Sequence, residues 1–131
     1  MMATWNGSAM RSLLISLCCL LCTFAAIAGE VRMLVQSSPL AGFRYYAGES
    51  LWQEMHEGDR LTLIREPQNT HDASAVRVEW RGQKLGYLPR AENRAVAGAM
   101  DAGERVDARI ARLRTHGNPW QRMLVEVFVL L

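Results

Sequence analysis

Three short segments of this sequence place aromatic, cationic and turn-forming residues close together. The first is Gly42-Phe-Arg-Tyr-Tyr-Ala-Gly-Glu49. An arginine beside two tyrosines suits nucleic acid, because rings stack on bases and a guanidinium binds phosphate. Read as extended chain, the segment puts Arg44 and Tyr46 on one face and Tyr45 on the other, with at least one tyrosine expected in the core. The second is Arg65-Glu-Pro-Gln-Asn-Thr-His-Asp-Ala-Ser-Ala-Val76. Pro67, Asn69 and Asp72 favour turns, so this is a loop, and loops on rigid scaffolds often carry function. His71 and Asp72 are sequence neighbours and do not form an orienting pair of the hydrolase kind. Asp72 is expected to bond its own backbone in an Asx-turn. The third is Leu85-Gly-Tyr-Leu-Pro-Arg90, running from a strand end to an expected helix start. Backbone N–H groups there would favour an anion and Arg90 would add charge; a solvated Arg90 is the plainer alternative.

The elements that must position these segments are mostly strands. Val31 to Gln36 reads as a first strand. Leu61 and Leu63 alternate with Arg60 and Thr62, and Val76, Val78 and Trp80 with Arg77 and Glu79. Such period-two patterns mark half-buried strands. Arg81-Gly82 is a tight turn into Lys84-Leu-Gly-Tyr-Leu88, which makes a hairpin. Val106, Ala108 and Ile110 alternate, as do Met123, Val125, Val127 and Val129 after a turn at His116-Gly-Asn-Pro119. A short helix is expected over Glu49–Glu57. A second is expected from Pro89, with Ala91, Ala95, Val96, Ala99 and Met100 as its apolar stripe and Gly103 as its stop. The sum is six or seven short strands and two short helices, which at this size predicts a mainly β fold, a small closed or partly closed barrel.

The N-terminal stretch is unlike the rest. Arg11 is its one charged residue before Glu30, and Leu13 to Ala28 is an apolar run of 16 residues. A membrane-spanning helix needs roughly 20. The run fits a secretory signal peptide, and Ala26-Ile27-Ala28 supplies a cleavage pattern that leaves Gly29 as the new N-terminus. The expected organisation is therefore a signal over 1–28 and one domain over 29–131, secreted or periplasmic, with no integral membrane span after signal removal. The alternatives are an uncleaved membrane anchor, or a start at Met33 and a cytoplasmic protein.

Removal of residues 1–28 takes away all three cysteines, Cys18, Cys19 and Cys22. No disulfide, thiolate ligand or cysteine nucleophile is then expected. The 15 cations lose Arg11, leaving 14 against 13 carboxylates, so charge alone does not indicate nucleic acid. All of those 14 except Lys84 are arginine. There is no Gly-x-Ser-x-Gly elbow and no phosphate-cradling glycine loop, and His56, His71 and His116 lack the close spacing of a zinc site. The chain is read as a binding module, not an enzyme, with no cofactor and no metal.

The spaced set Phe43-Arg-Tyr-Tyr46, Arg65-Glu-Pro-x-Asn-x-x-Asp72, Ala75-Val76-x-Val78 and Leu85-Gly-Tyr-Leu-Pro-Arg90 resembles the HIRAN domain family over roughly Val31 to Val129. The resemblance implies a modified OB-like barrel of about six strands with two short helices. It also implies a module that grips the free 3′ end of single-stranded DNA. HIRAN domains stand at the front of helicase-like DNA-repair ATPases and also occur alone in bacterial proteins. Carried over by position, Arg44 matches a phosphate-contacting arginine and Tyr45 an aromatic that stacks on the terminal base. Asn69 and Asp72 match polar residues at the 3′-hydroxyl, and Arg90 matches a basic phosphate contact. Tyr46 belongs to the same motif. Two positions depart from the pattern: His71 replaces a second stacking tyrosine, and Tyr87 replaces a phosphate-binding histidine. Weaker or broader binding follows from both. Export motivates a second expectation, an envelope protein- or glycan-interaction module that kept the fold and lost DNA-end binding.

Overall fold

The computed structural model describes residues 29–131, and the proposed signal segment lies outside the described residues. Six strands form one antiparallel sheet: β1 (Arg32–Pro39), β2 (Arg60–Arg65), β3 (Val76–Trp80), β4 (Gln83–Tyr87), β5 (Val106–Leu113) and β6 (Met123–Leu130). Their spatial order is β1-β6-β5-β2-β3-β4. Two short helices, α1 (Gly48–Leu51) and α2 (Arg94–Asp101), complete it with two 3₁₀ turns, Phe43–Tyr45 and Pro119–Gln121. This is the mainly β architecture that the alternating sequence predicts.

The sheet curls because its strands are bent at defined places. Ladder register shifts at Val35 in β1, at Leu85 in β4 and at Ala111 in β5. Each extra residue increases the local twist. β2 changes partners along its length: Arg60 and Leu61 pair with β5, and Thr62 to Arg65 pair with β3. Closure comes just past β1. Ala41 and Tyr87 exchange both backbone hydrogen bonds, at 2.9 and 3.0 Å, which ties the first strand's continuation to the last strand of the order. Gly86 makes this possible, since a Cβ there would collide with the Ala41 carbonyl oxygen.

The alternating residues fill the interior. Leu61, Val76, Val78, Leu85, Ile110, Val125 and Val127 are all buried, with Leu40 and Phe43 joining them from the β1 exit. The β3–β4 hairpin turns through Arg81 and Gly82, both at positive φ (46° and 78°), the geometry of a two-residue turn matched to strand twist.

Both helices are shorter than expected. α1 stops at Leu51, and His56 N–H donates to Asp59 Oδ2 at 2.9 Å instead of continuing a helical ladder. α2 begins at Arg94, because Pro89 to Asn93 forms a separate turn closed by Glu92 N–H to Pro89 C=O. The buried face of α2 is Asn93, Val96 and Ala97, while Ala91 and Ala95 are exposed. Gly103 (φ 78°) ends it as expected. Among the described residues no helix is long and apolar enough to cross a membrane.

Candidate nucleic-acid interface

Gly42 starts the first wall of the site. Its positive φ of 80° folds the chain into a 3₁₀ turn in which its carbonyl accepts from Tyr45 N–H at 2.9 Å. Phe43 plants the turn: it is 2% exposed and meets Trp52 edge-on, centroids 5.7 Å apart. Gly48 lies so close to the Phe43 ring that a side chain there would strike it. The segment is therefore not extended, and the assignment of Arg44 and Tyr45 to opposite faces is overturned. The Arg44 guanidinium stands 5.6 Å from the Tyr45 ring centroid. Neither tyrosine is core: Tyr45 is 75% exposed and Tyr46 39%.

The opposite wall and floor come from the Arg65–Val76 loop, which its own polar residues hold in shape. Asn69 Oδ1 accepts from the N–H groups of His71 and Asp72, at 2.9 and 3.2 Å. Asp72 Oδ1 accepts from Ser74 N–H at 2.9 Å, the expected Asx-turn. Its other oxygen accepts from Asn93 Nδ2 at 2.7 Å, which ties the loop to the start of α2. Arg65 braces the loop from below, donating to the carbonyls of Ala73 and Ala75 and pairing with Asp101 at 3.0 Å.

Between these walls lies a groove of about 280 Å³, near the lower end of ligand-pocket sizes, roughly 300 Å³. Tyr46, Asn69, His71, Asp72, Tyr87 and Arg90 line it, with Ala41, Ala75 and Leu88. Six of the eight residues singled out from sequence thus meet at one groove. Arg44 and Tyr45 do not line it. They flank an adjoining groove of about 210 Å³ with Asn118, Pro119 and Trp120.

Electrostatics separates bracing arginines from available ones. Arg32, Arg60, Arg65, Arg77, Arg109 and Arg122 all stand in ion pairs. Arg90 and Arg44 are exposed and make no ion pair among the described residues, and Arg44 stands beside the Tyr45 ring. Arg90 sits on the turn ahead of α2, so the helix N-terminus does not reinforce it.

Tyr87 is committed differently from the sequence expectation. Its hydroxyl donates to Glu66 Oε1 at 3.0 Å and accepts from Lys84 Nζ at 2.8 Å. A phenol has one O–H to give, so in this arrangement Tyr87 offers the groove its ring and not a donor. Burial pushes the Glu66 carboxyl up. Hydrogen bonds from Asn69 and Tyr87, with the nearby charges of Arg77 and Lys84, outweigh burial and hold it below the usual range.

Sequence reasoning passed over Trp120, Glu66 and the position of Lys84. Trp120 is 45% exposed beside a turn, and a tryptophan directly after the turn residues Asn118-Pro119 is the signal the sequence offers. Among the described residues no three His, Cys, Asp or Glu side chains are grouped to hold a metal ion.

The HIRAN domain description matches residues 33–131. A Fanconi-associated nuclease 1 homolog from Oryza sativa subsp. japonica is 42% identical over 52 residues, 37% of this chain. The match spans 5% of that nuclease. A crystal structure of a protein from Lactobacillus plantarum superposes with a TM-score of 0.66 at 25% identity, covering 78% of this chain and 98% of the other. The HIRAN domain of human HLTF superposes with a TM-score of 0.55 at 20% identity, covering 76% and 78%. At that identity the likeness speaks for the fold alone.

Proposed function

This chain belongs to the HIRAN domain family, and from that premise we propose that it binds single-stranded DNA, seating the strand's 3′ end in the groove between Tyr46, His71 and Tyr87. Nucleic-acid binding is the function to which the family points. The observation that carries the finer reading is the convergence of aromatic, polar and cationic residues on one groove. Tyr46 and His71 offer surfaces for a terminal base. Asn69 and Asp72 place polar atoms at the floor, and Arg90 places an unpaired guanidinium at the rim. Arg44, Tyr45 and Trp120 in the adjoining groove would take the next phosphate and base. Stacking contributes roughly 1–3 kcal/mol per base, so one or two stacked bases together with phosphate contacts from Arg44 and Arg90 would support micromolar binding, about 8 kcal/mol.

Titration of labelled single strands with free and blocked 3′ ends, at two salt concentrations, tests this reading. Preference for the free end and a falling affinity at higher salt are expected. Equal affinity for both ends would overturn the 3′-end reading. Absence of binding would overturn the DNA reading altogether and favour an envelope partner.

A further inference from the structure

Lys84 is the sole lysine of the chain and neither the family motif nor the groove lining includes it. Its placement is nonetheless specific. Its Nζ stands 4.1 Å from the Tyr46 ring centroid and 4.5 Å from that of Tyr87, and donates to the Tyr87 hydroxyl at 2.8 Å. The two rings meet edge to face, centroids 6.2 Å apart. The backbone joins the same unit, because Ala47 N–H donates to the Lys84 carbonyl at 3.1 Å. Tyr46 is part-exposed, its ring lies where a Cβ added at Gly42 would meet it, and its side chain interacts with the Lys84 ammonium. The ammonium thus lies against both members of the edge-to-face pair.

We propose that Lys84 is a positioning residue for DNA binding: its ammonium sets the Tyr46 and Tyr87 rings as one preformed aromatic wall of the groove. This rests on the DNA-binding reading above. An ammonium beside the Tyr46 ring is attracted by its electron-rich face, and the same ammonium is fixed at the rim of Tyr87 by the hydrogen bond to its hydroxyl. Because the rings are already ordered, a stacking base does not have to freeze them, and preorganisation of this kind raises affinity. Arginine would fit less well, since its planar fork cannot point one compact charge at two rings and a hydroxyl together. The same geometry argues against Lys84 as a phosphate ligand, because Lys84 does not line the groove and its ammonium is engaged with the Tyr87 hydroxyl. Burial pushes the Lys84 ammonium down, but the hydrogen bonds and charge interactions with Tyr87 and Tyr46 outweigh it, and the group stays protonated.

The test compares the full chain with Lys84→Met and Lys84→Arg by titrating a fluorescent single strand with a free 3′ end at several salt concentrations. The Lys84→Met protein is expected to bind roughly three- to tenfold more weakly, the size of one cation–π contact, with the same salt slope as wild type. Lys84→Arg is expected to recover part of the loss. Unchanged affinity overturns the proposal. A loss accompanied by a shallower salt slope also overturns it, because Lys84 would then be a phosphate ligand. A DNA-free readout separates this inference from the binding reading. In the NMR spectrum the Lys84 ε-methylene is expected well upfield from ring shielding, moving toward its ordinary position in Tyr46→Leu. An ε-methylene at its ordinary position in wild type would overturn the wall whatever the DNA result. A shielded ε-methylene without DNA binding would leave the wall standing and remove only its ligand.

Discussion

The carboxamide of Asn93 donates to Asp72 Oδ2 at 2.7 Å, joining a side chain only 1% exposed to the floor of the groove. Asn93 stands where a helix cap is expected, yet its side chain caps nothing in α2 and reaches the loop instead. The floor is thereby tied to the packed base of a helix. Asp72 has two duties in the free protein, this bond and the turn at Ser74.

Substitution of this pair is expected to affect fold and site together. Asn93→Leu leaves the Asp72 carboxylate short of a partner and is expected to cost about 1–3 kcal/mol. Urea denaturation measures the cost. Asp72→Ala is expected to lower both stability and DNA affinity, whereas Asp72→Asn keeps an oxygen for Ser74 N–H and retains more of each. Equal stability of Asp72→Ala and wild type would remove the loop-anchoring role.

Gly86→Ala tests barrel closure. The added methyl would meet the Ala41 carbonyl oxygen, and Ala41 and Tyr87 would lose their paired hydrogen bonds. A loss of more than about 1 kcal/mol is expected, because strain adds to an unfavourable φ of 156°. Faster amide exchange at Ala41 and Tyr87 is the local signature. Wild-type exchange there would show that closure survives.

Much of this fold is legible in sequence because its signals are local. Val76-Arg-Val-Glu-Trp80 and Met123 to Val129 alternate, and Val76, Val78, Trp80, Met123, Val125, Val127 and Val129 are buried. Arg81-Gly82 is the hairpin turn, and Asp72 forms its own-backbone turn. The errors fall where the deciding contact is distant or the segment too short to show a period. Four residues from Phe43 to Tyr46 cannot distinguish an extended piece from a 3₁₀ turn, and burial of Phe43 beneath Gly48 decides it. Pro89 reads as a helix start by residue type, but it is buried in its own turn and α2 begins at Arg94. Of the site, residue types were legible and commitments were not. Tyr87 to Glu66 and Asp72 to Asn93 each span 21 positions, so no local pattern reveals them.

Acid sensitivity follows from Glu66. Its folded pKa lies below its unfolded value, so the stability it contributes is present above the unfolded pKa, about 4.3. That contribution is lost as pH falls through the depressed folded value. Glu66→Gln is expected to flatten the stability profile below about pH 4.5, because an amide does not titrate. The shifted Lys84 acts in the opposite sense: its contribution is full below the unfolded lysine pKa and lost as pH rises through the higher folded value. Parallel acid limbs for wild type and Glu66→Gln would place the acid-sensitive group elsewhere.

Export is tested on the chain itself. A signal over residues 1–28 predicts a mature protein that begins at Gly29, read by mass spectrometry after expression in a bacterium with a secretory pathway. A product retaining the Leu13–Ala28 run in the membrane fraction would favour an uncleaved anchor. A soluble product beginning at Met33 would favour a cytoplasmic DNA-end binder.

Tyr45 and Trp120 separate binding from stability more cleanly than any residue in the groove. They are 75% and 45% exposed on the two sides of the adjoining groove. Surface truncations of this kind usually change stability by within about 0.5 kcal/mol. Each nevertheless removes a stacking surface worth roughly 1–3 kcal/mol per base. Tyr45→Ala and Trp120→Ala are therefore expected to leave the urea midpoint in place while weakening DNA binding. The length of the ligand sharpens the test. If the strand end occupies the Tyr46 groove and the next base the Trp120 groove, Trp120→Ala costs nothing with a mononucleotide and its full effect with a dinucleotide or longer strand. Quenching of tryptophan emission on binding should also shrink in this variant, since Trp120 lines the groove whereas Trp80 is only 3% exposed and Trp52 is half-buried against Phe43. An equal loss with mononucleotide and long strand would place the terminal base beside Trp120 and reverse the assignment of the two grooves.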